Sequence, residues 1–215
     1  MITVDNILDI EKYAAAYSGV IFDLDDTLYS EKEYVKSGYR QIAKSFPDIE
    51  NMEQKLWKAF QDGKPAIDEV MRSEGRLDRE SKEKALWIYR NQVPEIHLYQ
   101  GVREMLGRLN LTKKLGMITD GRPEGQRAKI EVLGISPFFD TIIITDELGG
   151  VQWRKPNPEA FRMIQKKWDF PFEEIVYIGD NPQKDFIAPE TLHMQSLFFR
   201  NKDGLYSFRF NKERI

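Results

Sequence analysis

Three short apolar runs in this chain end in aspartate: Val20-Ile21-Phe22 before Asp23, Gly116-Met117-Ile118-Thr119 before Asp120, and Ile175-Val176-Tyr177-Ile178-Gly179 before Asp180. Runs this short, rich in β-branched residues and bounded by turn formers, read as buried strands. Helical patterns separate them. Strand alternating with helix predicts an α/β fold, a doubly wound parallel sheet covered on both faces. Such sheets take ligands at the carboxyl ends of their strands, which is where the three aspartates fall.

The remaining periodicity fits that frame. Apolar residues at 7, 8, 13, 14 and 17 predict a helix over 5–17, closed by Ser18-Gly19, before a first strand over 20–24. From 30 to 98 the texture changes: Glu, Lys, Gln and Arg predominate, with apolar residues every three or four positions. Tyr34, Val35, Tyr39, Ile42 and Phe46 mark one helix, Leu56 to Phe60 a second, Ile67 to Met71 a third, Ala85 to Tyr89 a fourth. This predicts a helical bundle over 30–98 inserted in a core made of 1–29 and 99–215. Its aromatics, Trp57, Phe60, Trp87 and Tyr89, are expected inside the bundle. Beyond Gly101 the pattern predicts a helix over 102–109, a strand over 115–119 and a helix from Pro123 to Gly134. A strand over 141–145, a helix through Trp168, a strand over 175–178, a helix over 182–189 and a strand over 195–199 follow. The tail, with Leu205, Tyr206, Phe208 and Phe210, suits an edge strand or a contact surface.

The 215 residues contain no cysteine, which excludes disulfides, thiolate zinc sites and cysteine nucleophiles. A net charge of −3 offers no basic footprint for nucleic acid. The first residues carry acids rather than a basic, then apolar, leader, and the aliphatic run Ile142-Ile143-Ile144 is far too short to span a bilayer. A cytoplasmic protein without membrane partners is expected. His97 and His193 lack partners at metal or triad spacing and read as structural. Oligomeric state leaves no mark in the sequence.

The segment Phe22-Asp23-Leu24-Asp25-Asp26-Thr27 concentrates the chemistry. Alternate residues of a strand share a face, so Asp23 and Asp25 point the same way. Two like charges side by side require a compensating cation or a shared proton. Either a hard divalent metal or an acid/base pair answers that need; an Asp-rich turn capping the next helix is the plain alternative. The other strand ends add Thr119, Asp120 and Gly121, then Lys155 before Pro156, then Gly179 and Asp180 with Asp185 beyond. Carboxylates from two strands suit magnesium, and a Thr hydroxyl, free N–H groups and a Lys suit a phosphate.

Taken in order, Asp23-x-Asp25-x-Thr27, Thr119-Asp120-Gly121, Lys155-Pro156 and Gly179-Asp180 with Asp185 make the chain resemble the haloacid dehalogenase (HAD) superfamily, in its phosphatase branch. The insert after the first motif resembles that family's helical cap. The resemblance implies a Rossmann-like core and hydrolysis of a small phosphomonoester such as a sugar phosphate or nucleotide. Asp23 is then the nucleophile that forms an aspartyl-phosphate, and Asp25 the acid and then base, its pKa raised by its neighbours above the usual value of about 3.9. Mg2+ is implied on the side chains of Asp23 and Asp180 and the backbone carbonyl of Asp25. Thr119, Asp120 and Gly121 hold phosphoryl oxygens, Lys155 neutralises charge, and Asp185 supports the metal waters or orients Lys155.

Dehalogenases of the family lack an acid two residues after the nucleophile, so Asp25 argues against that branch. Phosphomutases share every motif quoted. A receiver domain of the signalling type also has a phospho-accepting Asp, a metal site, a Thr and a Lys. It carries the acidic pair on its first strand and the acceptor on a later one, in a shorter chain without an insert. Substrate choice is expected in 30–98, where Arg40, Lys64, Arg72, Arg76 and Arg79 could meet a second anionic group or simply face water.

Overall fold

A computed structural model of the chain describes residues 1–205. Tyr206, Phe208 and Phe210 lie outside the described residues. The chain divides into two compact units, Met1–Glu31 with His97 onward, and Lys32–Ile96.

The first unit holds six strands: β1 Ile2–Val4, β2 Gly19–Phe22, β3 Lys114–Thr119, β4 Thr141–Ile144, β5 Ile175–Gly179 and β6 Gln195–Phe199. All pair in parallel, in the order β1-β6-β5-β2-β3-β4. With the helices connecting successive strands, this is an α/β Rossmann-like fold. β2 is central. Gly19 to Phe22 run in step with Lys114 to Met117 of β3 on one side and Ile175 to Ile178 of β5 on the other. The chain builds outward from β2 through β3 and β4, then resumes beyond it with β5 and β6, so the strand order reverses at β2. A crevice opens above such a reversal.

The buried strands explain the near-continuous apolar runs: β2 and β5 are buried at every position. Helix α8, Glu159–Trp168, lays Phe161, Ile164 and Trp168 on Ile21, Ile118 and Tyr177. The Trp168 ring lies so close to Gly19 and Gly116 that a Cβ built there would approach it to 2.7 Å and 2.9 Å. Two neighbouring strands thus give up their side chains to admit one indole.

Three expectations from the sequence change. The helix over 5–17 is shortened to a 3-10 turn over Ile7–Asp9 that runs into a short α1, Ile10–Ala14, and an edge strand, β1, that the sequence did not suggest precedes it. Val4 and Thr3 find Phe199 and Phe198 of β6, and the Asn6 side chain accepts from the Leu8 N–H to start the turn. Three residues are too few for alternation to show; the partner strand decides. The helix over 182–189 starts later, as α9, Ile187–Thr191. Before it, the Asn181 side chain accepts from Gln183 N–H and Asp185 accepts from Asn181 N–H, which holds the segment in turns. Helices α6, Val102–Asn110, and α7, Pro123–Leu133, fall where predicted, α7 closing on Gly134 in the left-handed conformation.

The second unit packs α2 (from Glu31 to Ser45), α3 Met52–Gln61, α4 Ala66–Ser73 and α5 Arg79–Arg90 around Tyr39, Ile42, Leu56, Val70 and Met71. Trp87 is the third correction: it is 67% exposed. Ala85 is the buried position of α5, and two residues on, about 200° round the helix, a side chain faces away. The five cationic residues singled out here are each matched to a carboxylate: Arg40 to Glu95, Lys64 and Arg72 to Glu69, Arg76 to Asp48, Arg79 to Glu83. No helix among the described residues is long and apolar enough to cross a membrane.

Candidate active site

Parallel pairing of β5, β2 and β3 in one register brings their carboxyl ends together, and Asp180, Asp23 and Asp120 with them. Asp23 is held by the sheet itself, its N–H donating to the Ile178 carbonyl at 2.8 Å. A cavity of about 320 Å³ opens here, with Asp23, Asp25, Asp120, Asp180 and Glu31 among its lining and Lys155, Lys184 and Arg154 as its cations.

Lys155 comes from the loop after β4. That loop is fixed by a two-pronged ion pair of Arg154 with Asp146, both contacts 2.7 Å, and by the Lys155 N–H donating to Asp120 Oδ1 at 3.0 Å. The Lys155 side chain is fully buried, with Nζ 2.6 Å from Asp23 Oδ1, 2.8 Å from Asp185 Oδ1 and 2.9 Å from the Tyr177 hydroxyl. Burial works against its charge, but Asp185 and Asp23 outweigh it and hold the ammonium well above its usual range. Asp185 is also fixed, its Oδ2 accepting from Asn181 N–H at 2.9 Å. A Cβ on Gly179 would stand 2.5 Å from that oxygen, so only glycine lets Asp185 reach in. Asp185 thus contacts Lys155 directly, at 2.8 Å.

Asp23, Asp180 and Asp185 each present a carboxylate oxygen within 4.8 Å of the others, all three buried. Burial pushes Asp180 well above the carboxylate range, reinforced by Asp23 and Asp185. Burial likewise lifts Asp23 to about 7, despite the pull of Lys155. One ammonium does not balance three buried carboxylates. An all-oxygen, over-charged donor set fits a hard divalent cation.

Asp25 departs from expectation. Its neighbours were expected to raise it; burial does act that way, but the Lys129 ammonium and hydrogen bonds from Lys129, Tyr29 and Gln126 lower it. Lys129 Nζ lies 2.7 Å from Oδ1, Gln126 Nε2 2.9 Å from Oδ2, and the Tyr29 hydroxyl donates to Oδ1. The helix-capping role that competed for this turn belongs to the next residue: Asp26 Oδ1 accepts from Glu31 N–H at 2.9 Å, where α2 begins.

Thr119 is fully buried at the end of β3, its hydroxyl oxygen accepting from Gln126, and Gly121 turns the chain at φ +137°. Both adjoin Asp120 rather than line the cavity. Asp120 itself carries three donors: Lys184 Nζ at 2.7 Å, Thr145 Oγ1 at 3.0 Å and the Lys155 N–H. Burial opposes its charge, and Lys155 with Lys184 overrides burial to keep it low. The sequence reading missed Glu31, Gln126, Lys129, Arg154 and Lys184. For Gln126 and Lys129 a signal existed: they share the apolar stripe of α7 with Ile130 and Leu133, a place where polar residues need partners.

The sequence profile of the haloacid dehalogenase-like hydrolases matches residues 20–199. The chain belongs to this family. A glyceraldehyde 3-phosphate phosphatase of Methanocaldococcus jannaschii is 34% identical to it over 189 residues, 82% of either chain. The pyrophosphatase PpaX of Oceanobacillus iheyensis is 26% identical over 207 residues, 91% of this chain and 90% of that one. Among solved structures, the HAD-hydrolase YfnB of Bacillus subtilis, bound to magnesium, superposes with a TM-score of 0.65 over 85% of this chain and 86% of that one at 20% identity, a likeness of fold. This haloacid dehalogenase-like hydrolase falls in the phosphatase branch, an enzyme acting on phosphate esters.

Proposed function

We propose that the protein is a magnesium-dependent phosphatase that hydrolyses a small phosphomonoester through an aspartyl-phosphate on Asp23. The observation that carries this reading is Asp23 itself: a buried carboxylate just past the end of the central strand, 2.6 Å from a buried ammonium and facing two more carboxylates. Asp23, Asp180 and the backbone carbonyl of Asp25 would hold Mg2+. The cation supplies positive charge that lets an anionic nucleophile meet an anionic phosphate.

The remaining work falls to the chain's own groups. A carboxylate oxygen of Asp23 forms a bond to phosphorus as the bond to the leaving oxygen breaks, and Asp25, which Lys129 holds ionised in the free site, passes to that oxygen a proton brought in with the substrate. Water then attacks the phosphorus, Asp25 takes its proton, and inorganic phosphate leaves with the Asp23 carboxylate restored. Lys155 neutralises charge on Asp23 and on the phosphoryl group. In this reading the N–H groups of Asp120 and Gly121 and the proton of the Thr119 hydroxyl, whose oxygen already accepts from Gln126, would turn to the phosphoryl oxygens of a bound substrate from beside the cavity. Lys184 offsets the Asp120 charge that a phosphate would otherwise meet. Relatives named for glyceraldehyde 3-phosphate and for pyrophosphate support a small phosphorylated substrate. The choice among such substrates we assign to the inserted helical unit, as a cap.

The test is phosphate release from an aryl phosphate with and without magnesium, beside Asp23→Asn. Turnover that requires both metal and Asp23 supports the reading. Turnover that survives Asp23→Asn, or a folded, magnesium-supplied protein inert toward a broad panel of phosphomonoesters, overturns it.

A further inference from the structure

Asp25 is gripped from two directions. Tyr29, four residues on, donates to Oδ1, and α7 supplies the rest: Lys129 Nζ at 2.7 Å from Oδ1 and Gln126 Nε2 at 2.9 Å from Oδ2. Gln126 and Lys129 stand three residues apart and so project from one face of α7. Both are almost fully buried, at 3% and 5% exposure, and neither lines the cavity. A buried lysine and a buried amide are costly unless they meet partners. Here the partner is the carboxylate that the phosphatase reading uses for proton transfer. Gln126 does more: the same amide nitrogen donates to Thr119 Oγ1, so one side chain ties the proton-transfer group to the phosphate cradle.

A carboxylate offers about four lone-pair directions. Two on Oδ1 are taken by Tyr29 and Lys129, one on Oδ2 by Gln126. The direction left over is on Oδ2.

We propose that Gln126 and Lys129 are positioning residues that lock the Asp25 carboxylate so that Oδ2 faces the leaving oxygen of the substrate. They touch neither substrate nor phosphorus and act through Asp25. The inference rests on the phosphatase reading and deepens it.

The experiment compares Lys129→Met, Lys129→Arg, Gln126→Leu and Asp25→Asn on two substrates in magnesium. One is para-nitrophenyl phosphate, whose leaving oxygen departs without help; the other is ethyl phosphate, whose alkoxide must be protonated. General acid catalysis is worth roughly 100- to 10,000-fold, and a misplaced acid forfeits part of that. Because Asp25 also serves the second step, which both substrates share, the readout is kcat/KM, which ends at phosphoryl transfer: we expect Lys129→Met and Gln126→Leu to lose about 10- to 100-fold in kcat/KM on ethyl phosphate and less than about threefold on the nitrophenyl ester. Asp25→Asn should show the same bias, larger, and Lys129→Met added to Asp25→Asn should cost little more. Lys129→Arg should recover much of the loss. Equal losses of kcat/KM on both substrates, or a full additional loss in the double variant, would overturn the proposal. Should Lys129→Met fail to fold, Gln126→Leu and Lys129→Arg still report the leaving-group bias. A wild-type protein inert on both esters would instead strike at the phosphatase reading, and this inference would fall with it.

Discussion

Replacing Lys155 by methionine isolates the electrostatics of the site from its packing. Methionine has nearly the length of lysine and can fill most of the same buried space, so the change removes an ammonium and little else. That ammonium is fully buried between Asp23 Oδ1 at 2.6 Å and Asp185 Oδ1 at 2.8 Å. Taking one partner from a buried ion pair leaves an uncompensated charge, and costs about 3–5 kcal/mol. Against the usual net stability of about 5–15 kcal/mol, that is a large share. For a chain of this size each kcal/mol moves Tm by about 2–4 °C, so a fall of roughly 6–20 °C is expected. The measurement is thermal unfolding of wild type and Lys155→Met at neutral pH in a chelator. The sign of the pH dependence is also fixed. Burial already raises Asp23 and Asp180, and losing Lys155 raises Asp23 further. A carboxylate raised in the folded state destabilises only above its unfolded pKa, increasingly as pH climbs through the folded value. The gap between variant and wild type must therefore narrow on acidification. A gap under about 1 kcal/mol at neutral pH, or one that widens in acid, would refute the claim that Lys155 is the counter-charge of the cluster.

Magnesium should stabilise the protein more at about pH 8 than at about pH 5, because Asp23, held at about 7 by burial, must lose its proton to bind a cation; melting curves with and without metal check this, and a pH-independent shift would contradict it. Gly179→Ala places a methyl 2.5 Å from Asp185 Oδ2, so Asp185 must withdraw from Lys155 and Asn181; a stability loss of about 1–3 kcal/mol with a larger loss of kcat is expected in urea titrations and assays. The two tryptophans tested in parallel should differ sharply. Trp168→Ala opens a cavity over Gly19 and Gly116 and should cost about 3–5 kcal/mol, whereas Trp87→Gln, at an exposed position, should stay within about 0.5 kcal/mol.

What the sequence made legible was whatever local pattern controls. Buried strands of a parallel sheet announce themselves as continuous apolar runs, and the residues just beyond them, Asp23, Asp120 and Asp180, stand where such a sheet opens. Fold and family followed from those positions. What stayed hidden depends on partners distant in the chain. β1 is three residues long and becomes a strand only because β6 lies beside it. The acid role that the resemblance implies for Asp25 calls for neighbours that raise it. The deciding neighbour, Lys129, is more than a hundred residues away and reaches Asp25 from α7. Trp87 failed for a different reason: at helical spacing a large aromatic reads as core, but α5 buries the stripe through Ala85 instead.

The Asp23 amide bonded to Ile178 ties the chemistry to the middle of the sheet. That hydrogen lies between β2 and β5, with further strands on either side, so it reaches solvent only when the middle of the sheet opens. Its exchange rate in heavy water should report the opening of the whole α/β unit rather than a local fluctuation. Loss of activity and loss of the sheet should then coincide in denaturant, because the nucleophile has no way to be displaced while its strand remains paired.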